Sequence, residues 1–153
     1  MRAWDDVVKP FFAGFVATLV FHQGMLALLH GTGATPRAPY VMLPAPPFGV
    51  PQVLSLAFWG GVWGIVLWAM IRDLQHSSFG YWSRALEIGA LAPSAVALFI
   101  VFPLKGQPIA GGWDPAIIVG ALLLNGAWGL GTAWLMRVLA PSATARARAR
   151  RAT

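Results

Sequence analysis

Five hydrogen-bonding side chains lie inside otherwise apolar stretches of this chain: His22, Gln23, Trp59, Ser94 and Asn125. Counted at about 1.5 Å of rise per helical residue from the outer ends of those stretches, His22 and Gln23 fall roughly 10–12 Å deep. The same count puts Trp59 at about 11 Å and Ser94 and Asn125 at about 14–15 Å. All five are therefore expected in one layer slightly outside the midplane of a bilayer. Polar groups are costly in hydrocarbon, so such a layer marks either a route for a solute or proton or a set of bonds between helices. As bonds between helices, such contacts contribute about 0.6–2 kcal/mol each. This second, structural reading is the leading one. His22 also raises a metal or haem, but His30 lies about two turns along the same helix and cannot face it. A lone His22–Met25 pair is a poor ligand set, so no metal and no cofactor is expected.

Glycine supplies the second pattern. Phe58-Trp59-Gly60-Gly61-Val62-Trp63-Gly64 is echoed by Asn125-Gly126-Ala127-Trp128-Gly129-Leu130-Gly131. Gly60, Gly61, Gly64, Gly126, Gly129 and Gly131 are expected to pack helices closely, because small residues let backbones approach and gain dispersion contacts. The pairs Gly14/Thr18 and Ala13/Ala17 extend the pattern to the first segment. The alternative is a narrow path floored by glycine and walled by Trp63 and Trp128.

Four segments must position these residues: 11–30, 52–71, 85–104 and 116–136. Each approaches the roughly 20 apolar residues that cross ~30 Å of hydrocarbon. The expected fold is an all-α membrane protein of four transmembrane helices, paired as two hairpins. The composition agrees, being 58% hydrophobic and 10% charged against about 25% charged in soluble domains. Residues 1–140 would form this single domain, and 141–153 a basic tail. The first segment is expected to be a retained span, since it exceeds the usual length of a signal-peptide core and Asp5 and Asp6 interrupt its basic flank.

Charge sets the expected orientation. With both termini in the cytoplasm, nine basic residues lie inside and only Arg37 and Lys105 outside, as the positive-inside rule favours. Arg146, Arg148, Arg150 and Arg151 make the tail a partner for anionic lipid head groups, and nucleic acid is not expected. Proline at 36, 39, 44, 46, 47 and 51 excludes regular helix from the loop 31–51. Its Tyr40, Val41, Met42, Leu43 and Phe48 argue for an ordered cap on the helix ends. Residues 72–84 read as a short polar loop, and Pro93 as a kink in the third span.

One spacing reads either as a parallel internal repeat or as chance coincidence in Gly/Trp-rich helices. Gly61, Trp63, Gly64 and Arg72 match Gly126, Trp128, Gly129 and Arg137 at one common offset. Val20-Phe21 resembles Val101-Phe102 less regularly. Together with Phe21-His22-Gln23, Gly49-Val50-Pro51, Pro103-Leu104-Lys105-Gly106 and the two glycine blocks, the chain resembles a group of small, uncharacterised four-span bacterial inner-membrane proteins. The likeness covers roughly residues 10–138. It implies a bacterial inner membrane and carries over no activity.

The chain has no phosphate-binding glycine loop, no H-E-x-x-H, no G-x-S-x-G and no cysteine. Paired carboxylates within the spans are also lacking. Three functions remain. The leading one is a structural or accessory membrane protein that self-associates or joins a membrane-protein partner. The second is a small-solute or ion transporter using the polar layer. The third is a membrane-embedded enzyme on a lipid or quinone, with His22 as acid and base. An enzyme is not the favoured expectation.

Overall fold

The computed structural model describes residues 3–75 and 77–140. The tail arginines Arg146, Arg148, Arg150 and Arg151 lie outside the described residues. Four long helices dominate: α1 (Trp4–Gly31), α2 (Gln52–Leu74), α3 (Ser78–Leu104) and α4 (Pro115–Val138), each long and apolar enough to cross a membrane. Two of them begin earlier than their hydropathy. α1 starts at Trp4 because Asp5 and Lys9 form an ion pair of 2.7 Å along its polar first turns. α3 starts at Ser78 because Ser77 caps it, its hydroxyl accepting the Gly80 N–H at 3.2 Å. Most of the segment read as a polar loop is therefore helix. Asp114 caps α4 in the same way, accepting the Ala116 N–H at 2.8 Å, with Pro115 at the first helical position.

Three stretches widen to π-helical geometry: Trp4–Val8, Thr18–His22 and Ala97–Val101. The last follows Pro93, whose ring removes a helical donor, and the helix runs on through it to Leu104. A turn over Ile109–Trp113 leads into α4. Ala110, Gly111, Gly112 and Trp113 all take positive φ there, between 53° and 74°.

α1 and α4 form the centre. α1 packs on α2 and α4, and α3 packs on α4. Small residues line the helix contacts: Ala13, Gly14, Ala17, Ala57, Gly61, Gly64, Ala85, Gly89, Gly129 and Ala133 are all buried, beside a few large side chains such as Leu67, Ile71, Tyr81 and Trp128. Many large apolar side chains, such as Phe12, Val16, Phe58, Met70, Leu91 and Phe99, point outward. In lipid there is little gain from hiding apolar surface, so close backbone contact decides the packing.

Two seams carry that contact. A methyl group on Gly64 would meet the Pro10 carbonyl, and the Gly14 Cα at 3.0 Å. A methyl on Gly129 would meet the Ala85 carbonyl at 2.6 Å and the Gly89 Cα at 2.8 Å. Gly60 lies against Thr18, Gly61 against Phe11 and Gly131 against Phe21. Gly126 is looser, its nearest neighbour being Leu86 at 3.2 Å from a built methyl. All six expected packing glycines thus face a neighbouring helix within the chain.

The proline-rich loop is ordered. It closes with the antiparallel strands β1 (Pro44–Ala45) and β2 (Val50–Pro51). It also folds back on α1: the Tyr40 N–H donates to Gln23 Oε1 at 2.7 Å, and the Tyr40 hydroxyl donates to the Leu19 carbonyl at 2.9 Å. Next along the chain, the Val41 carbonyl accepts the Val53 N–H at 3.1 Å. Arg37 stacks on Phe102 of α3, 5.5 Å from the ring centre.

Candidate functional site

The carbonyl of Gly14 is where three helices meet. It accepts the Thr18 hydroxyl at 3.0 Å and the Trp128 indole N–H at 3.0 Å, besides the Thr18 backbone N–H. The absence of a side chain at Gly14 lets α2 press against it, while its carbonyl receives the indole from α4. Trp128 is 3% exposed and sits in a cluster with Ala17, Leu67, Ile71, Tyr81, Ala85 and Ala133. An indole buried in hydrocarbon needs a partner for its N–H, and here it has one.

The five polar residues of the expected layer fall into separate groups. Ser94 and Asn125 come together, the amide donating to the hydroxyl at 2.9 Å across α3 and α4. His22 and Gln23 are neighbours on α1, with Nδ1 and Nε2 3.4 Å apart. No hydrogen bond joins one pair to the other among the described residues. Trp59 is 58% exposed on the outer face of α2, with its ring against Phe58. Because Tyr40 bridges to Gln23 beside the first turn of α2, Gln23 lies near the mouth of the bundle. The depth count treated each helix end as level, whereas α1 runs past the start of α2.

Alanine at Ser94 and at Asn125, singly and together, should give a coupling of about 0.6–1.7 kcal/mol in a double-mutant cycle of unfolding. Strict additivity would show that the bond contributes nothing. Gln23→Ala should leave the helices intact but loosen the loop 31–51. The expected sign is faster proteolytic cleavage within that loop, at unchanged helical content by circular dichroism. Equal cleavage rates in the two proteins would remove the role given to Gln23.

Other side chains show how fully the interior is satisfied. Tyr81, buried on α3, donates to the Ala133 carbonyl at 2.8 Å, and Thr132 donates to the Trp128 carbonyl at 2.9 Å. Trp68 is the exception, with an indole N–H that is buried and unpartnered. Charged groups stay at the ends: Arg72 meets Asp6 at 3.1 Å and Arg84 meets Glu87 at 3.2 Å. Arg137, in the last turn of α4, stacks on Tyr81 at 4.3 Å and Trp82 at 5.2 Å.

Neither the buried Tyr81 nor the Arg137 stack is signalled directly in the sequence, and Tyr40 only as part of an apolar loop expected to cap the helices. Tyr81 falls inside an expected loop, where the capping serine at 77 is the one hint of helix. Trp128 stands in a glycine block expected to pack helices, with a path wall as the alternative, and an indole far from either helix end already implies a bonded partner.

An open groove of about 590 Å³ runs along α4, walled by Phe21 and Met25 of α1 and by Trp82 and Leu86 of α3. Gly126, Ala127, Leu130, Gly131 and Trp134 of α4 complete its lining. It presents hydrocarbon and indole, with no carboxylate or imidazole in its lining. Among the described residues, no three His, Asp or Glu side chains converge.

Four apolar helices, small residues at their contacts and polar bonds kept inside define a multi-pass helical membrane protein. Comparisons with protein families, with curated proteins and with solved structures found no match.

Proposed function

We propose that this chain is a structural or accessory membrane protein that acts as an oligomer or within a larger membrane complex. One observation carries the reading. The buried polar side chains Thr18, Gln23, Ser94 and Thr132 all spend their hydrogen bonds on the protein's own helices or loop. A solute path needs polar groups with free valence along a continuous route, and the polar residues here stand in separate pairs. That favours the accessory reading over a transporter built on His22, Gln23, Trp59, Ser94 and Asn125, and over an enzyme using His22.

The finer architecture belongs to the same proposal. The bundle is two hairpins, α1–α2 and α3–α4, related as a parallel repeat with both termini in the cytoplasm. The seams support the repeat: Gly64 faces Pro10 and Gly14 as Gly129 faces Ala85 and Gly89. The equivalence pairs Gly14 with Gly89, a different alignment from that of Phe21 with Phe102. Kinship with small four-span bacterial inner-membrane proteins, and residence in that membrane, complete the proposal. Because the glycine seams are used within the chain, self-association would employ the outer faces.

Native mass spectrometry of the protein extracted in mild detergent is the test. A homo-oligomer or a stoichiometric protein partner supports the reading. A monomer that carries a solute across liposome membranes, with the flux abolished by His22→Ala in a folded protein, overturns it. Cysteines placed in the loop 31–51 should react with an impermeant reagent on whole cells, whereas labelling only after lysis would reverse the orientation.

A further inference from the structure

We infer that the groove along α4 binds one anionic phospholipid, with an acyl chain in the groove and its phosphate on Arg137. Three observations meet there. The groove runs from Leu122 to Trp134, about 18 Å along the helix axis. One leaflet of a ~30 Å hydrocarbon layer is about 15 Å deep, so the groove matches a single acyl chain. It opens sideways to the bilayer, since Leu86, Leu123 and Trp134 are each roughly half exposed at its rim.

The second observation is Arg137. Its guanidinium carbon lies 4.3 Å from the ring centre of Tyr81 and 5.2 Å from that of Trp82, in the angle between two nearly perpendicular rings. Among the described residues it has no acidic partner, the three ion pairs being Lys9–Asp5, Arg72–Asp6 and Arg84–Glu87. Aromatic rings offer a guanidinium no oxygen acceptor, so its N–H edge is left for phosphate oxygens, which it grips bidentately. Third, Trp82 joins the two features. Its ring lines the groove and also lies 5.2 Å below the Arg137 guanidinium. Arg137 is in the last turn of α4, where a helix leaves the hydrocarbon and lipid phosphates begin.

A zwitterionic lipid offers the same chain and phosphate but adds a cation beside Arg137, so charge selects the anionic class. The site uses α1, α3 and α4, not the tail, and stands whether or not the accessory reading is right. A second copy of the chain could instead lay a helix in the groove, and the test separates the two.

The experiment is native mass spectrometry of the full chain from mixed micelles holding equal phosphatidylglycerol and phosphatidylcholine. The wild type is expected to retain one phosphatidylglycerol in preference. Arg137→Gln should reduce that preference about tenfold, the size of one charge-assisted hydrogen bond. Ala127→Trp should fill the groove and lower retention of both lipids, and Arg84→Gln should change neither. Equal retention of the two lipids by the wild type overturns the proposal without any variant. So does unchanged preference in Arg137→Gln, or a lipid-free dimer. If Arg137→Gln does not fold, the wild-type competition and Ala127→Trp decide.

Discussion

Gly14→Ala is expected to destabilise the bundle, whereas Gly120→Ala leaves it as stable or more so. Both substitutions remove a helical glycine, which by propensity alone gains up to about 1 kcal/mol. What differs is the space. A methyl at Gly14 would fall on the Gly60 carbonyl and within 2.9 Å of the Gly64 Cα. Those neighbours are backbone and have no rotamer to move, so α1 and α2 must separate. Overpacking of this kind costs about 1–3 kcal/mol and occasionally more. A methyl at Gly120 or at Gly24 meets nothing within 4 Å. The sign should therefore split, with Gly14, Gly64, Gly89 and Gly129 on one side and Gly24 and Gly120 on the other. Thermal unfolding in one detergent reads it directly. If Gly14→Ala unfolds no earlier than Gly120→Ala, the seam does not hold the helices together.

Trp128→Ala is expected to be the most damaging single change outside the glycines. The residue is nearly fully buried, and its removal leaves a void between α1, α3 and α4. Truncating a buried aromatic costs about 3–5 kcal/mol, with the spread set by how far the site collapses. Trp128→Phe separates shape from hydrogen bonding. The ring still fills most of the space, and the Gly14 carbonyl keeps the Thr18 hydroxyl and backbone N–H. Its cost should be about 1 kcal/mol. Trp59→Ala is the internal comparison, since that indole faces outward. It should stay within about 0.5 kcal/mol of wild type. Similar losses for Trp59→Ala and Trp128→Ala would show that indole content, not position, sets stability.

The four helices were legible because bilayer thickness imposes a length that hydropathy reveals at once. Their true starts were not, because capping by Ser77 and an ion pair at Lys9 extend helix beyond the apolar run. The glycine blocks announced close packing without naming the partners. Gly14, in a less conspicuous pattern, proved to be the residue that Gly60 and Gly64 approach. Ser94 and Asn125, counted to one depth, meet across α3 and α4. His22, Gln23 and Trp59 are not joined to them, because depth alone says nothing about rotation. A residue can sit at the right height and still face away, as Trp59 does. Tyr40 binding to Gln23 is a contact between a loop and a distant turn, for which no sequence period exists.

The seams of alanine and glycine, with many Phe, Leu and Trp side chains turned outward, reach into the thermodynamics of the fold. In water, heat-capacity changes on unfolding arise mainly from wetting apolar surface. Helices that part within a bilayer exchange neighbour for lipid tail, and neither wets the other. Separation of these seams should then carry almost no heat-capacity change. Its free energy would fall along a nearly straight line with temperature, and the loss of stability on cooling that follows from fading hydrophobic attraction would be missing. Such a protein is held by fit, and cold does not loosen fit.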